Sequence, residues 1–104
     1  MGFKYIDSLI EDYKLIKKEN LNDIAGKLAE ILDSVNYLHP FREGNGRTQR
    51  EFIRLFALEK DLNLNLSPPD NKSVYERYMK GTIESDYKIL TELIYELITS
   101  KKES

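Results

Sequence analysis

Between Tyr5 and Lys17 the apolar residues Ile6, Leu9, Ile10, Tyr13 and Ile16 recur at three- and four-residue spacing. That period marks an amphipathic helix with one buried face. Asn20 and Asn22 break the pattern and offer side-chain oxygens that can cap a second helix. On that helix Ile24, Leu28, Ile31, Leu32, Val35 and Leu38 form one stripe. It should stop at His39, because Pro40 biases the residue before it away from helical dihedrals. A short loop from Pro40 to Gly46 follows, and a third helix is predicted from about Arg47 to Lys60, with Phe52, Leu55 and Phe56 inward. Leu62 to Leu66 alternates apolar and polar residues, but Asn63 and Asn65 make it a poor strand. Ser67-Pro68-Pro69-Asp70 reads as a stop followed by the start of a fourth helix, with Val74, Tyr78 and Met79 at helical spacing. Ser85 is placed to cap a last helix carrying Leu90, Leu93, Ile94 and Leu97. Five helical segments without a convincing sheet predict an all-α bundle. Residues 1–104 are read as one domain whose last residues, 100–104, form a frayed tail.

Composition narrows the function classes. A chain of 104 residues fits one domain, and 40% hydrophobic with 33% charged residues is too apolar for a disordered protein. Sixteen basic against 18 acidic residues give a net charge of -2, which argues against a general nucleic-acid binder. The absence of cysteine excludes disulfides, thiolate metal sites and a cysteine nucleophile, and a single histidine argues against zinc. No apolar run approaches the ~18 residues of a membrane span, and the N-terminus lacks a signal-peptide pattern. These features predict a cytoplasmic protein without a membrane partner.

One segment departs from the amphipathic pattern: His39-Pro40-Phe41-Arg42-Glu43-Gly44-Asn45-Gly46-Arg47-Thr48-Gln49-Arg50. Gly44 and Gly46 permit positive φ and close approach of a ligand to the backbone. They precede a helix start, where backbone N–H groups lack partners and the helix dipole is positive. Such a nest suits phosphate or another anion. Arg47 and Arg50, three residues apart, share a helix face and can present their forks to phosphate oxygens. Cations at this end oppose the dipole, so a negative group should compensate them, and bound polyphosphate fits. A Gly-Asn-Gly turn alone would be a weak phosphate signal. The two arginines, the carboxylate and the only histidine within a dozen residues reverse that weighting. The segment is neither a Walker A loop nor a Rossmann fingerprint.

HPFREGNGRTQR resembles the motif of the Fic family, HPFx(D/E)GNGRxxR, at every defined position. The helix before His39, the Glu-Phe-Ile-Arg after Arg50 and the later Ser85-Asp86-Tyr87 are also similar to bacterial members. The resemblance implies a Fic-like helical bundle and a protein adenylyltransferase. Such an enzyme moves AMP from ATP to a Ser, Thr or Tyr hydroxyl of a target protein and releases pyrophosphate. His39 is implied as general base. Glu43 is implied as the ligand of Mg²⁺, and Gly44, Asn45 and Gly46 as the wrap around the phosphates. Arg47 and Arg50 would hold the β- and γ-phosphates. Phe41 is read as a core residue that anchors the loop. Arg42, at a variable position, and Arg54, beyond the motif, are read as solvated.

Two departures from the family pattern stand out. Members usually carry, before the first helix seen here, a β-hairpin flap that aligns the target as an added strand, whereas this chain begins at Met1-Gly2-Phe3-Lys4. A truncated chain, a minimal variant or a flap from a neighbouring chain would each account for this. Many members also carry an inhibitory [S/T]xxxE[G/N] motif. Thr99 to Glu103 has its spacing, but Ser104 replaces the final Gly or Asn. Without self-inhibition, the resemblance implies a separate small antitoxin protein, as in toxin-like members. Two other readings stay open: nucleotide binding without transfer, and a DNA-recognition helix bearing Arg47, Arg50 and Arg54, against which the acidic charge counts.

Overall fold

The computed structural model describes residues 2–38, 45–66 and 71–99. Among these residues the chain forms five helices and no strand: α1 (Gly2–Leu15), α2 (Leu21–Leu38), α3 (Asn45–Glu59), α4 (Lys72–Ile83) and α5 (Tyr87–Thr99). The protein is all-α, as its hydrophobic spacing predicts. The expected frayed tail and the Ser67–Asp70 stop lie outside the described residues.

Helix α2 is the centre of the bundle. Its Ile24, Ala25, Leu28, Ala29, Ile31 and Leu32 are all fully buried, a face wider than a single stripe. It packs most extensively on α5, and also on α1 and α3, while α4 packs on α5. From α1, Ile6, Leu9 and Tyr13 enter the core, and from α5, Leu90, Leu93, Ile94 and Ile98. Polar groups close the seams between helices. The Tyr13 hydroxyl donates to the Phe56 carbonyl at 2.6 Å, and the two rings meet edge-on with centroids 5.7 Å apart. Lys60 Nζ donates to the Ile16 carbonyl at the end of α1 (2.6 Å) and lies 4.6 Å from the centre of the Tyr13 ring. Asn36 of α2 reaches α4, where its Nδ2 donates to the buried Thr82 carbonyl at 2.8 Å. Arg77 and Glu96 join α4 to α5 through paired hydrogen bonds of 2.9 and 2.7 Å.

Three sequence expectations need correction. Leu55, expected inside, is 47% exposed, while Ile53 and Ala57 are fully buried and Phe52 and Phe56 flank them. Leu55 lies two residues from both Ile53 and Ala57, about 200° round the helix from each, so it must face outward. Helix α3 begins at Asn45 rather than near Arg47. The first-turn N–H groups have no intrahelical partners, so Asn and Gly are tolerated there. Ser85 does not cap α5. It takes a left-handed φ of 51° and closes α4, its N–H meeting Thr82 O while Asp86 N–H meets Gly81 O at 2.8 Å. The capping residue is Asp86, whose Oδ1 accepts the Ile89 N–H at 3.1 Å. Asp61, with φ 61°, ends α3 in the same manner, Leu62 N–H reaching Ala57 O at 3.0 Å. The alternation from Leu62 to Leu66 is a real in–out pattern, with Leu64 and Leu66 buried, but the segment pairs with no strand.

Candidate active site

The twelve-residue motif joins the end of α2 to the start of α3. His39, Phe41, Glu43 and Gly44 lie outside the described residues, as do Pro40 and Arg42. Asn45 and Gly46 are the first two residues of α3, followed by Arg47 and, one turn later, Arg50. No acidic residue occupies the first turn of α3, so no carboxylate there offsets the positive helix end or the Arg47 charge. The described motif residues therefore present a cationic helix start.

The two arginines differ in surroundings. Arg47 and Thr48 are exposed, whereas Arg50 is half-buried and Gln49 buried. The Arg50 guanidinium carbon sits over two rings of α4, 5.2 Å from the centre of Tyr75 and 5.5 Å from that of Tyr78. Those rings are 6.0 Å apart and tilted by 41°. The Tyr78 hydroxyl makes a long 3.4 Å hydrogen bond to Gln49 Oε1, which also ties α4 to α3. Burial pushes the Tyr78 phenol up from its ordinary value, and the charge and hydrogen bond of Arg50 oppose that rise. A buried neutral phenol beside a guanidinium is the outcome.

Arg54 behaves differently. Its Nε donates to Glu51 at 3.0 Å and its Nη2 to the other carboxylate oxygen, so the exposed Arg54 is an ion-paired surface residue. The pair holds the Glu51 carboxyl below its usual range, chiefly through the Arg54 hydrogen bond. Sequence reasoning found Arg47 and Arg50 from the motif. It took Tyr78 only as a core residue and did not single out Tyr75. Two tyrosines three apart on α4 are a local signal, but nothing local says that they meet α3.

Among the described residues no three His, Cys, Asp or Glu side chains cluster closely enough to hold a metal ion. Thr99, the start of the inhibitory-motif spacing, ends α5 with its hydroxyl donating to Tyr95 O at 2.7 Å, and the rest of that segment lies outside the described residues. An open hollow of about 370 Å³ is lined by Glu19, Asn20, Asp23 and Tyr95 at the N-terminus of α2. It lies some ~25 Å along that helix from the motif. No described helix is long and apolar enough to cross a membrane.

Residues 2–57, just over half of the chain, match the family model of the Fic/DOC family. The chain belongs to the Fic/DOC family. It is 43% identical over 61 residues to a protein named protein adenylyltransferase from Bartonella henselae, covering 54% of this chain and 11% of that protein. It is 35% identical over 66 residues to protein adenylyltransferase VbhT from Bartonella schoenbuchensis, covering 64% of this chain and 13% of that protein. The chain thus spans about a tenth of the length of these relatives. No solved structure matches it significantly.

Proposed function

We propose that the protein is a Fic-type protein adenylyltransferase, transferring AMP from ATP to a Ser, Thr or Tyr hydroxyl of a target protein with release of pyrophosphate. The observation that carries this reading is the unbroken motif His39 to Arg50, running into the cationic start of α3 in a chain of this family. In the proposed mechanism His39 takes the proton from the target hydroxyl as its oxygen attacks the α-phosphorus. The backbone N–H groups of Gly44, Asn45 and Gly46 receive the phosphate oxygens at the helix start. Arg47 and Arg50 hold the β- and γ-phosphates, so the charge that grows on departing pyrophosphate is met by fixed donors. Phe41 anchors the loop from the core side.

The donor set suits Mg²⁺. A hard ion bound together with a nucleotide would need only one or two protein carboxylates, so the lack of a three-residue cluster among the described residues is no obstacle. Glu43 is the residue that would hold it, and the ion would supply neutralisation of phosphate charge. The proposed setting is a bacterial cytoplasm, with a small antitoxin protein as the inhibitor in place of the incomplete Thr99–Glu103 motif. Side-chain engagement weakens the DNA-recognition reading: Glu51 neutralises Arg54, the third arginine which that reading needs.

The test is incubation of a bacterial lysate with the protein, Mg²⁺ and ATP labelled in its α-phosphate, followed by mass spectrometry. Transfer predicts target peptides carrying AMP, abolished by His39→Ala with ATP affinity retained. Reversible ATP binding with no modified peptide would leave a nucleotide-binding module without transfer. Full transfer by His39→Ala would remove His39 as the base.

A further inference from the structure

Three arginines among the described residues are held in two ways. Arg54 and Arg77 each engage a carboxylate through two nitrogens, with Glu51 and Glu96 respectively. Such pairs neutralise the charge and take up two of the five N–H donors. Arg50 instead sits over the faces of Tyr75 and Tyr78. A guanidinium is planar and weakly hydrated, so an aromatic face attracts it strongly while touching only its flat side. No carboxylate among the described residues pairs with Arg50, and apart from the hydrogen bond it shares with Tyr78, stacking on the rings leaves the guanidinium edge rather than its face to meet an anion. These are the conditions a phosphate-binding arginine needs.

We propose that Tyr75 and Tyr78 are positioning residues: they form an aromatic cradle that holds Arg50 in the orientation that meets the terminal phosphates of the nucleotide. The inference rests on the reading of Arg50 as the γ-phosphate residue. A long side chain near a helix start samples many rotamers, and each one lost on binding weakens the complex. The cradle restricts that sampling beforehand. It also makes α4, outside the motif and outside the matched residues 2–57, part of the nucleotide site. Tyr75 is only half-buried, whereas Tyr78 is fully buried with its hydroxyl on Gln49, so Tyr75 is the residue to vary.

Calorimetric titrations of ATP and AMP, with Mg²⁺, into the full chain test the proposal. Tyr75→Leu keeps apolar volume and removes the ring face. It should weaken ATP by about 3- to 10-fold and leave AMP within about 2-fold, because AMP lacks the groups Arg50 reaches. Tyr75→Phe keeps the face and should restore ATP binding to within about 2-fold. Arg50→Ala serves as the reference, with a larger loss of about 10- to 150-fold confined to ATP. Equal losses of ATP and AMP in Tyr75→Leu, or identical behaviour of the Leu and Phe variants, would overturn the cradle. If Arg50→Ala discriminates between the nucleotides and Tyr75→Leu does not, the cradle fails and the reading of Arg50 stands. If Arg50→Ala does not discriminate, both fail.

Discussion

Two glycines within helices, Gly26 and Gly81, offer the same substitution in opposite settings. A Cβ on Gly81 would stand 2.6 Å from Leu90 Cδ2 and 2.8 Å from its Cγ, closer than carbon atoms pack. Leu90 is fully buried, and its Cγ moves only with a change of χ1 that would drive the whole side chain into packed neighbours. Overpacking of this kind costs ~1–3 kcal/mol, while exchanging Gly for Ala inside a helix returns at most ~1 kcal/mol. Gly81 lies in the last turn of α4, where the propensity gain is smaller. Gly81→Ala should therefore lose ~1–2 kcal/mol, a fall of roughly 5–15 °C in Tm for a chain of this size. At Gly26 the nearest atom is the Tyr87 hydroxyl at 3.3 Å, and Tyr87 is 44% exposed and can swing outward. That movement sacrifices only its 3.0 Å hydrogen bond to the Gly26 carbonyl, so Gly26→Ala should stay within ~0.5 kcal/mol of the parent. Both changes stiffen the unfolded chain alike, so the difference between the variants reports the folded contact. Urea denaturation with the slope held constant measures it. A Gly81→Ala protein as stable as Gly26→Ala would refute the packing of α4 on α5.

Ser85→Gly should raise stability by ~0.5–1 kcal/mol, because a left-handed φ of 51° is strained for serine and ordinary for glycine. Asp61→Gly should gain less, since Asp tolerates this region and faces Lys18 at 3.6 Å; a lower Tm in the Ser85 variant would contradict the helix-closing role. Burial holds the Asp33 carboxyl above its ordinary 3.8, and its Oδ1 has no hydrogen-bond partner among the described residues. The folded state thus binds that proton more tightly than the unfolded chain, so its contribution is complete below pH 3.8 and lost as pH rises through the folded value. Asp33→Asn should accordingly melt above the parent at pH 7 and match it near pH ~3, and an offset independent of pH would count against this. Glu43→Ala should reduce Mg²⁺-dependent ATP binding and transfer together, whereas parent protein with equal ATP affinity in Mg²⁺ and in chelator would exclude the ion from the site.

The helices were legible because each carries an apolar stripe at helical spacing. The phase of the stripe on α3 was less so: Phe52, Ile53, Leu55, Phe56, Ala57 and Leu58 are nearly continuous, and only tertiary packing decides that Ile53 and Ala57 turn inward. Ser85 was misread because serine favours helix starts, while here its neighbour Asp86 takes that role and Ser85 completes the helix before. The motif itself is a contiguous string and stands out without any structure. Its setting does not, because Arg50 meets residues 25 and 28 positions later in the chain, and no local pattern records that meeting. His39, Phe41, Glu43 and Gly44 rest on the string alone.

The pairing of α2 with α5 has a consequence for how the protein is made. Tyr87 closes on the Gly26 carbonyl across 61 positions, and the broad face of α2 is covered chiefly by the final helix. Ribosomes add ~5–20 residues per second, so α2 emerges several seconds before α5 exists to cover it. During that interval Leu28, Ile31 and Leu32 face water or whatever chaperone is at hand. Joining the two helices also costs about 3–4 kcal/mol in loop-closure entropy. Helix α3 lies inside that loop, so the proposed site should take shape only once synthesis has passed α5.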